Sequence, residues 1–333
     1  MDALSDLLHA VKLNGALFLE ARFTAPWCIE THPSYGAAEM LRPLNPVVFF
    51  HMVTEGRCKV RLAAGGEPID IASGDLVLMP QGDTNLLGSD LQLAPVDADS
   101  LLRPAPPGGM LTIDHGGGGD EARILCGFLS CDKALCRLLL DALPRLLRVP
   151  VGDGSGAAWL MSLARRGAQE NTAPGPGSGS LLAKLAELLF VEAMRRYVEA
   201  LPQDQTGWLA GLRDRYVGRA LSLMHERPAH DWTVDELAEG VGLSRSALAQ
   251  RFGDLLGQPP MQYLTQWRLQ LAAEKLSRGS AKVAAIGVQV GYESESAFNR
   301  AFKREFGMPP AAWRRQGPRN SGGAASSGGI IRS

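Results

Sequence analysis

The sequence predicts an α+β multidomain protein, with a β-barrel and flanking helices in front and an all-α back part of two helix-turn-helix motifs joined by a long helix. Three observations carry that expectation. The chain has 333 residues, too many for one ordinary core and suited to two domains. Short runs of β-branched and aromatic residues fill its first quarter, separated by Pro, Gly and Asp. The last third then says almost the same thing twice. Leu237-Ala238-Glu239-Gly240-Val241-Gly242-Leu243-Ser244 continues through Ser246, Leu248 and Phe252 to Gly257-Gln258-Pro259-Pro260. Ile286-Gly287-Val288-Gln289-Val290-Gly291-Tyr292-Glu293-Ser294 continues through Ser296, Phe298 and Phe302 to Gly307-Met308-Pro309-Pro310. The turn glycines lie 49 residues apart and the closing glycines 50, so the stretch is an internal duplication with one residue inserted near the turn.

Composition sets the class. With 45% hydrophobic and 21% charged residues the chain reads as a soluble globular protein. No apolar run approaches the ~20 residues that span a bilayer, and the N-terminus lacks a basic segment followed by an apolar core, so a cytoplasmic home without a membrane partner is expected. Residues 1–207 hold 17 Lys+Arg against 24 Asp+Glu, whereas residues 208–316 hold 15 against 11. An acidic front and a mildly basic back suit a sensor joined to a nucleic-acid reader, although so small an excess also suits a solvated surface.

In chain order, residues 1–9 read as a short amphipathic helix with Leu4, Leu7 and Leu8 on one side. Strands are expected at residues 16–23, 47–53, 57–62 and 75–79, with turn residues between them. The stretch Gly74 to Asn85 then carries a strand into a Pro80/Gly82 turn that swings the next side chains back toward the barrel mouth. It resembles the second cupin motif, G-x5-P-x-G-x2-H, with Asn85 where the metal-binding histidine would stand. His51, ahead of Glu55-Gly56, echoes the first motif, but the paired H-x-H is absent. Transition metals in such barrels need several converging imidazoles and carboxylates. The expectation is therefore a metal-free pocket or a purely structural barrel, with no metal, no cofactor and no catalytic set.

Five cysteines, Cys28, Cys58, Cys126, Cys131 and Cys136, include no C-x-x-C pair. Buried structural thiols are one reading, a redox switch built on Cys126, Cys131 or Cys136 another, and a metal site a third. Residues 91–122, rich in Gly, Pro and Asp, read as a mobile insertion whose Gly116–Gly119 run, lacking a following Lys-Ser/Thr, forms a flexible hairpin tip. A closing strand at 124–129 precedes helices near 133–148 and 156–169 and a Pro/Gly/Ser breaker at 172–180. From Leu181 to Leu201, Leu182, Leu185, Leu189 and Ala193 recur at helical spacing, a stripe that packs on its own domain or forms a dimer seam. The expected domains are a sensor and dimerisation domain at 1–201, a linker at 202–209, a DNA-binding domain at 210–316 and a disordered Gly/Ser tail at 317–333.

Within the duplicated unit Thr233 and Glu236 spell a capping box that opens a helix to about Val241. Gly242 breaks that helix and Ser244 caps the next, which runs to about Leu256, while Ser294 takes the same place in the second copy. A DNA reader needs polar side chains on the outward face of such a helix, near its start, and cations at its flanks. The first helix offers Arg245, Ser246, Ala249, Gln250 and Arg251, and the second Glu295, Ser296, Asn299, Arg300, Lys303 and Arg304. A spacer helix over 261–277 would set the two readers about one DNA turn apart.

Residues 208–316, above all the run Gly291 to Pro310, resemble the C-terminal domain of AraC/XylS-type transcriptional regulators. The front of the chain is similar to the cupin-like sensor domain of one branch of that family. The resemblance implies a transcription regulator that binds double-stranded DNA and is not an enzyme, acts as activator or repressor, and answers to a small-molecule effector or redox state. It also implies a homodimer that engages RNA polymerase. By the same resemblance Ser246, Ala249, Gln250, Glu295, Ser296, Asn299 and Arg300 fall at DNA-contacting positions. Ser246 and Ala249 are smaller than the residues often found there, so the first helix is expected to contribute less base-specific energy.

Overall fold

The computed structural model of the chain describes residues 14–32, 46–103, 110–130, 139–151, 177–202 and 205–316, together with Leu4, Ser5, Leu8 and Ser162. The chain divides into two compact units between Asp214 and Arg215.

The front unit is built from β1 (Asn14–Thr24), β2 (Cys28–Thr31), β3 (Pro46–Glu55), β4 (Arg57–Leu62), β5 (Ile69–Ala72), β6 (Asp75–Met79), β7 (Asn85–Gly88), β8 (Val96–Asp97), β9 (Leu111–Gly116), β10 (Glu121–Ser130) and β11 (Leu147–Pro150). They form a six-stranded sheet in the order β11-β6-β3-β10-β1-β9 and a five-stranded sheet in the order β5-β4-β7-β2-β8. Alternation along each strand sends one set of side chains into a shared core. Phe23, Val53, Val77, Ile124 and Phe128 come from the first sheet and Ile29, Val60, Ile71 and Leu87 from the second, and all are buried. Phe23 stacks on Trp27 with ring centroids 4.0 Å apart. Opposite Phe50 the chain needs Gly127, because a Cβ there would come within 2.2 Å of the Phe50 ring.

Helix α1 (Ser178–Ala200) lies against β1, where Gly15 is close enough to Ala186 that a Cβ would come within 2.7 Å of it. Leu182, Leu185, Leu189 and Ala193 are all buried within this unit, so that stripe packs on its own domain and is not a dimer seam. Helix α2 (Trp208–Arg213) buries Trp208, Leu209 and Ala210, and the Arg213 guanidinium donates to the Leu201 carbonyl oxygen. The expected linker at 202–209 thus overlaps the start of a helix, and the division of the chain falls after that helix.

Three expectations are corrected here. Residues 91–122 are not simply an insertion: β8 and β9 join the two sheets, with Met110 and Ile113 buried. Gly116–Gly119 is not a hairpin tip, because β9 and β10 lie on opposite sides of β1 and the glycines arch over its end. A Cβ on Gly116 would come within 1.9 Å of the Thr24 carbonyl oxygen and one on Gly117 within 2.4 Å of Pro26 Cδ. The helix expected over 133–148 fails at its C-terminal end, where Leu147–Pro150 pairs with β6. Pro144 lacks the amide a helix interior requires, and the alternate burial of Leu147 and Val149 fits a strand. Helix 156–169 and residues 1–9 lie outside the described residues except for the isolated positions above, as do Cys131, Cys136 and the tail 317–333.

The back unit comprises α3 (Arg215–Glu226), α4 (Val234–Val241), α5 (Arg245–Leu256), α6 (Pro260–Arg278), α7 (Val283–Gln289), α8 (Glu295–Phe306) and α9 (Pro310–Gln316). The capping box on α4 is complete, with the Thr233 hydroxyl accepting from the Glu236 amide at 3.1 Å and the Thr233 amide donating to the Glu236 carboxylate at 2.9 Å. Both copies turn alike. Gly242 and Gly291 have φ of 78° and 88°, and the next amide donates five residues back, from Leu243 to Ala238 at 2.9 Å and from Tyr292 to Gly287 at 2.9 Å. Leu237, Leu248 and Phe252 lock the first crossing and Ile286, Phe298 and Phe302 the second, each 1% exposed or less. No helix among the described residues is long and apolar enough to cross a membrane.

Candidate nucleic-acid interface and barrel cavity

Helices α5 and α8 begin in the same way. Ser244 accepts from the Ala247 amide at 3.2 Å and Ser294 from the Ala297 amide at 3.3 Å, so each cap fixes which face of its helix looks outward. Leu248 and Phe252 turn inward on α5, as Phe298, Ala301 and Phe302 do on α8, and by the helical repeat the opposite side of each helix turns out. Arg245, Ser246, Ala249, Gln250 and Arg251 are exposed on α5, as are Glu295, Ser296, Arg300, Lys303 and Arg304 on α8, with Asn299 half-buried beside them.

The two faces differ in what their cations do. Arg245 donates to Asp235 on α4 at 3.1 Å, and Arg251 lies over the Tyr216 ring of α3, 5.4 Å from its centroid. Both are partly occupied by their own unit. Arg300, Lys303 and Arg304 make no ion pair among the described residues. Glu295, Asn299, Arg300 and Lys303 line one shallow depression with Val283, Pro309 and Ala311 from the flanking helices. The candidate residues on each helix thus share a surface, and the second surface is the better supplied with unengaged cations.

Between the copies α6 acts as a strut. At ~1.5 Å per residue its 19 residues span roughly 28 Å. Tyr263 and Trp267 are buried, and His225 of α3 stacks on Trp267 at 3.9 Å while its Nε2 lies 2.7 Å from the Tyr263 hydroxyl. Arg268 donates through Nε to the Pro228 carbonyl and through Nη2 to that of His230, both at 2.7 Å. Its guanidinium also backs the second turn, where a Cβ on Gly291 would come within 2.9 Å of Cζ. This buckle was not legible in the sequence, because an arginine on a helix surface ordinarily reads as solvated.

The barrel interior holds a cavity of about 60 Å³. Its polar residues include His51, Asn85 and Cys126, each 6% exposed or less. His51 and Cys126 are direct partners across β3 and β10, and His51 Nδ1 lies 3.1 Å from Cys126 Sγ. His51 Nε2 and Asn85 Oδ1 have no hydrogen-bond partner among the described residues. Burial holds the His51 imidazole down to about 4, with Asn85 pulling weakly the other way, and pushes the Cys126 thiol up to about 12. The ring is neutral and the thiol protonated at neutral pH, which is the wrong environment for a reactive cysteine. The expected metal-free reading rests on Asn85 replacing a histidine, and among the described residues no cluster of three His, Cys, Asp or Glu side chains suits a metal ion.

A family model described as a cupin matches residues 2–199, and one described as a helix-turn-helix domain matches residues 237–316. A putative AraC-like transcription regulator of Streptomyces antibioticus is 36% identical over 95% of this chain and 99% of its own length. The HTH-type transcriptional regulator AlkR of Acinetobacter baylyi is 30% identical over 95% of this chain and 100% of its own. The RCS-specific HTH-type transcriptional activator RclR of Escherichia coli is 30% identical over 94% and 97%. With its duplicated helix-turn-helix unit behind a two-sheet barrel, the chain belongs to the AraC-type family of transcriptional regulators, in the form that carries an N-terminal cupin domain.

Proposed function

We propose that this regulator reads a specific duplex through α5 and α8 and answers to a small-molecule effector held by its barrel. The observation that carries the reading is the exposed face of α8, where Asn299, Arg300, Lys303 and Arg304 follow a capped helix start with no ion pair among the described residues. Arginine makes two hydrogen bonds to guanine and asparagine or glutamine two to adenine, so Arg300, Asn299 and Gln250 supply base readout. Lys303, Arg304 and Arg251 supply phosphate contacts, and Glu295 accepts from a cytosine amino group. The protein acts in the cytoplasm, as a homodimer on double-stranded DNA, and passes its signal to RNA polymerase. Dimerisation draws support from the prevalence of two-fold oligomers, and a non-enzymatic role from the names of the relatives.

An effector is favoured over a redox signal because Cys126, the candidate redox cysteine within the described residues, is buried and held as thiol. Selection of bound duplexes from a randomised pool by the full-length protein tests the DNA reading. A recurrent sequence, bound in a mobility shift more tightly by the wild type than by Arg300→Ala, is the expected result. An unenriched pool overturns it.

A further inference from the structure

The barrel cavity has an apolar wall and a polar floor. Leu19, Phe23, Ile29, Phe49, Leu87 and Ile124 face it, and none offers a hydrogen bond. On the floor, imidazole nitrogen is the stronger acceptor and the thiol the available donor, so the Cys126 S–H donates to His51 Nδ1 and the ring proton resides on Nε2. That leaves an N–H donor at His51 and a carbonyl acceptor at Asn85 lining the same cavity; Asn85 is near enough to pull the imidazole upward as a hydrogen-bonding neighbour, yet neither atom closes a hydrogen bond among the described residues. Two buried polar groups left without hydrogen bonds are costly, and a ligand that supplies one acceptor and one donor recovers that cost.

The mouth argues against negative charge on the ligand. Asp83 is engaged by Arg145, and His32 lies 3.3 Å from the Thr84 hydroxyl and 3.5 Å from the Glu30 carboxylate. Asp99 Oδ2 is buried there too, so a carboxylate would pass acidic groups and find no free cation on the floor. An ammonium would be drawn toward the unpartnered Asp99 Oδ2 but would meet the donor face of His51 on the floor. A cavity of about 60 Å³ exceeds several-fold the roughly 10–15 Å³ that admits one water, which leaves room for a short molecule.

We propose that this cavity takes a short uncharged molecule with an apolar body and a head group that both donates and accepts, such as a primary alcohol or carboxamide, seated between His51 Nε2 and Asn85 Oδ1. The proposal rests on the effector reading above and names the chemistry of its ligand.

Calorimetry on the full-length protein with n-pentanol tests it, against its isomer methyl butyl ether, which accepts but cannot donate, and against pentylammonium and pentanoate. Saturable pentanol binding is expected, with the ether about tenfold weaker for the missing bond to Asn85 and the two ions weaker still. Asn85→Leu should bind alcohol and ether alike, and His51→Phe should weaken both. Equal binding of alcohol and ether by the wild type, preferred binding of either ion, or no saturable binding of any probe overturns the proposal without recourse to the variants. A mobility shift on the selected duplex, run with and without saturating pentanol, reads the effector role separately. Pentanol bound with DNA affinity unchanged overturns that role and leaves the site standing.

Discussion

Arg245, the first residue of α5, and Arg300, midway along α8, are both exposed arginines on capped helices, yet they are not equivalent. Arg245 already bonds to Asp235, whereas Arg300 makes no ion pair among the described residues. Losing one bidentate contact to a base costs about 1–3 kcal/mol. Arg300→Ala is therefore expected to weaken binding of the selected duplex by about 5- to 160-fold, and Arg245→Ala by less; equal losses in a mobility shift would remove the distinction. Inside the barrel, His51 makes a prediction about pH. Its imidazole titrates near 4 in the folded chain against an ordinary value of 6.5. Between those values the unfolded chain binds a proton that the folded chain refuses, so stability is lost as pH falls from about 6.5 toward 4. At about 1.4 kcal/mol per pH unit the loss approaches about 3 kcal/mol. In urea titrations the His51→Phe variant should lose correspondingly less over that range. Cys126 belongs to the same buried pair, and its thiol, held up to about 12, should resist iodoacetamide at pH 7.5 in the native protein and react once unfolded. Mass spectrometry of the labelled peptide reads this, and rapid native labelling would contradict the burial.

At the scale of the element, the duplicated helices were legible because their signals are local. Thr233 with Glu236, Ser244, Ser294 and the glycines each announce a helix end within four residues, and the structure places α4, α5, α7 and α8 accordingly. The barrel was legible only in part. β1, β3, β6 and β10 carry apolar runs and β4 alternates basic with apolar residues, while β8 and β9 lie among Gly, Pro and Asp and take their identity from neighbours distant in sequence. For the same reason Cys126 could be noted as a thiol but not placed beside His51, since only the register of β3 and β10 brings them together. The two turn glycines look alike in sequence and differ in surroundings. A Cβ on Gly242 meets nothing within 4 Å, whereas one on Gly291 meets Arg268 Cζ at 2.9 Å and Ala229 Cα at 3.0 Å. Gly242→Ala should cost the left-handed backbone penalty alone, about 1–2 kcal/mol. Gly291→Ala should cost measurably more, because the Arg268 buckle must also give way. Comparable urea midpoints for the two variants would mean that Arg268 moves aside freely.

For the whole molecule, the acidic front and basic back bear on how tightly and how selectively the protein meets DNA. An apolar pocket in one unit and a cationic face in the other are useful together only if occupancy of one changes the free energy of the other, and such coupling is reciprocal. A ligand that raises affinity for the selected duplex must be bound more tightly in its presence, by the same factor. The DNA term itself has a signature that a protein-interaction module lacks. Each phosphate neutralised releases counterions, and the logarithm of affinity falls by about 0.9 per contact for each tenfold rise in salt. Arg251, Lys303 and Arg304 are the exposed cations given to phosphates on the two reading helices, and three contacts give a slope of about −3 per copy of the chain. Mobility shifts across a fourfold range of salt should recover a slope at least that steep. Lys303→Ala should make it shallower by about 1 while weakening specific and unrelated duplexes alike, whereas Arg300→Ala should weaken the selected duplex preferentially. A flat salt dependence, or a Lys303→Ala loss confined to the selected sequence, would reverse the roles given to these two side chains.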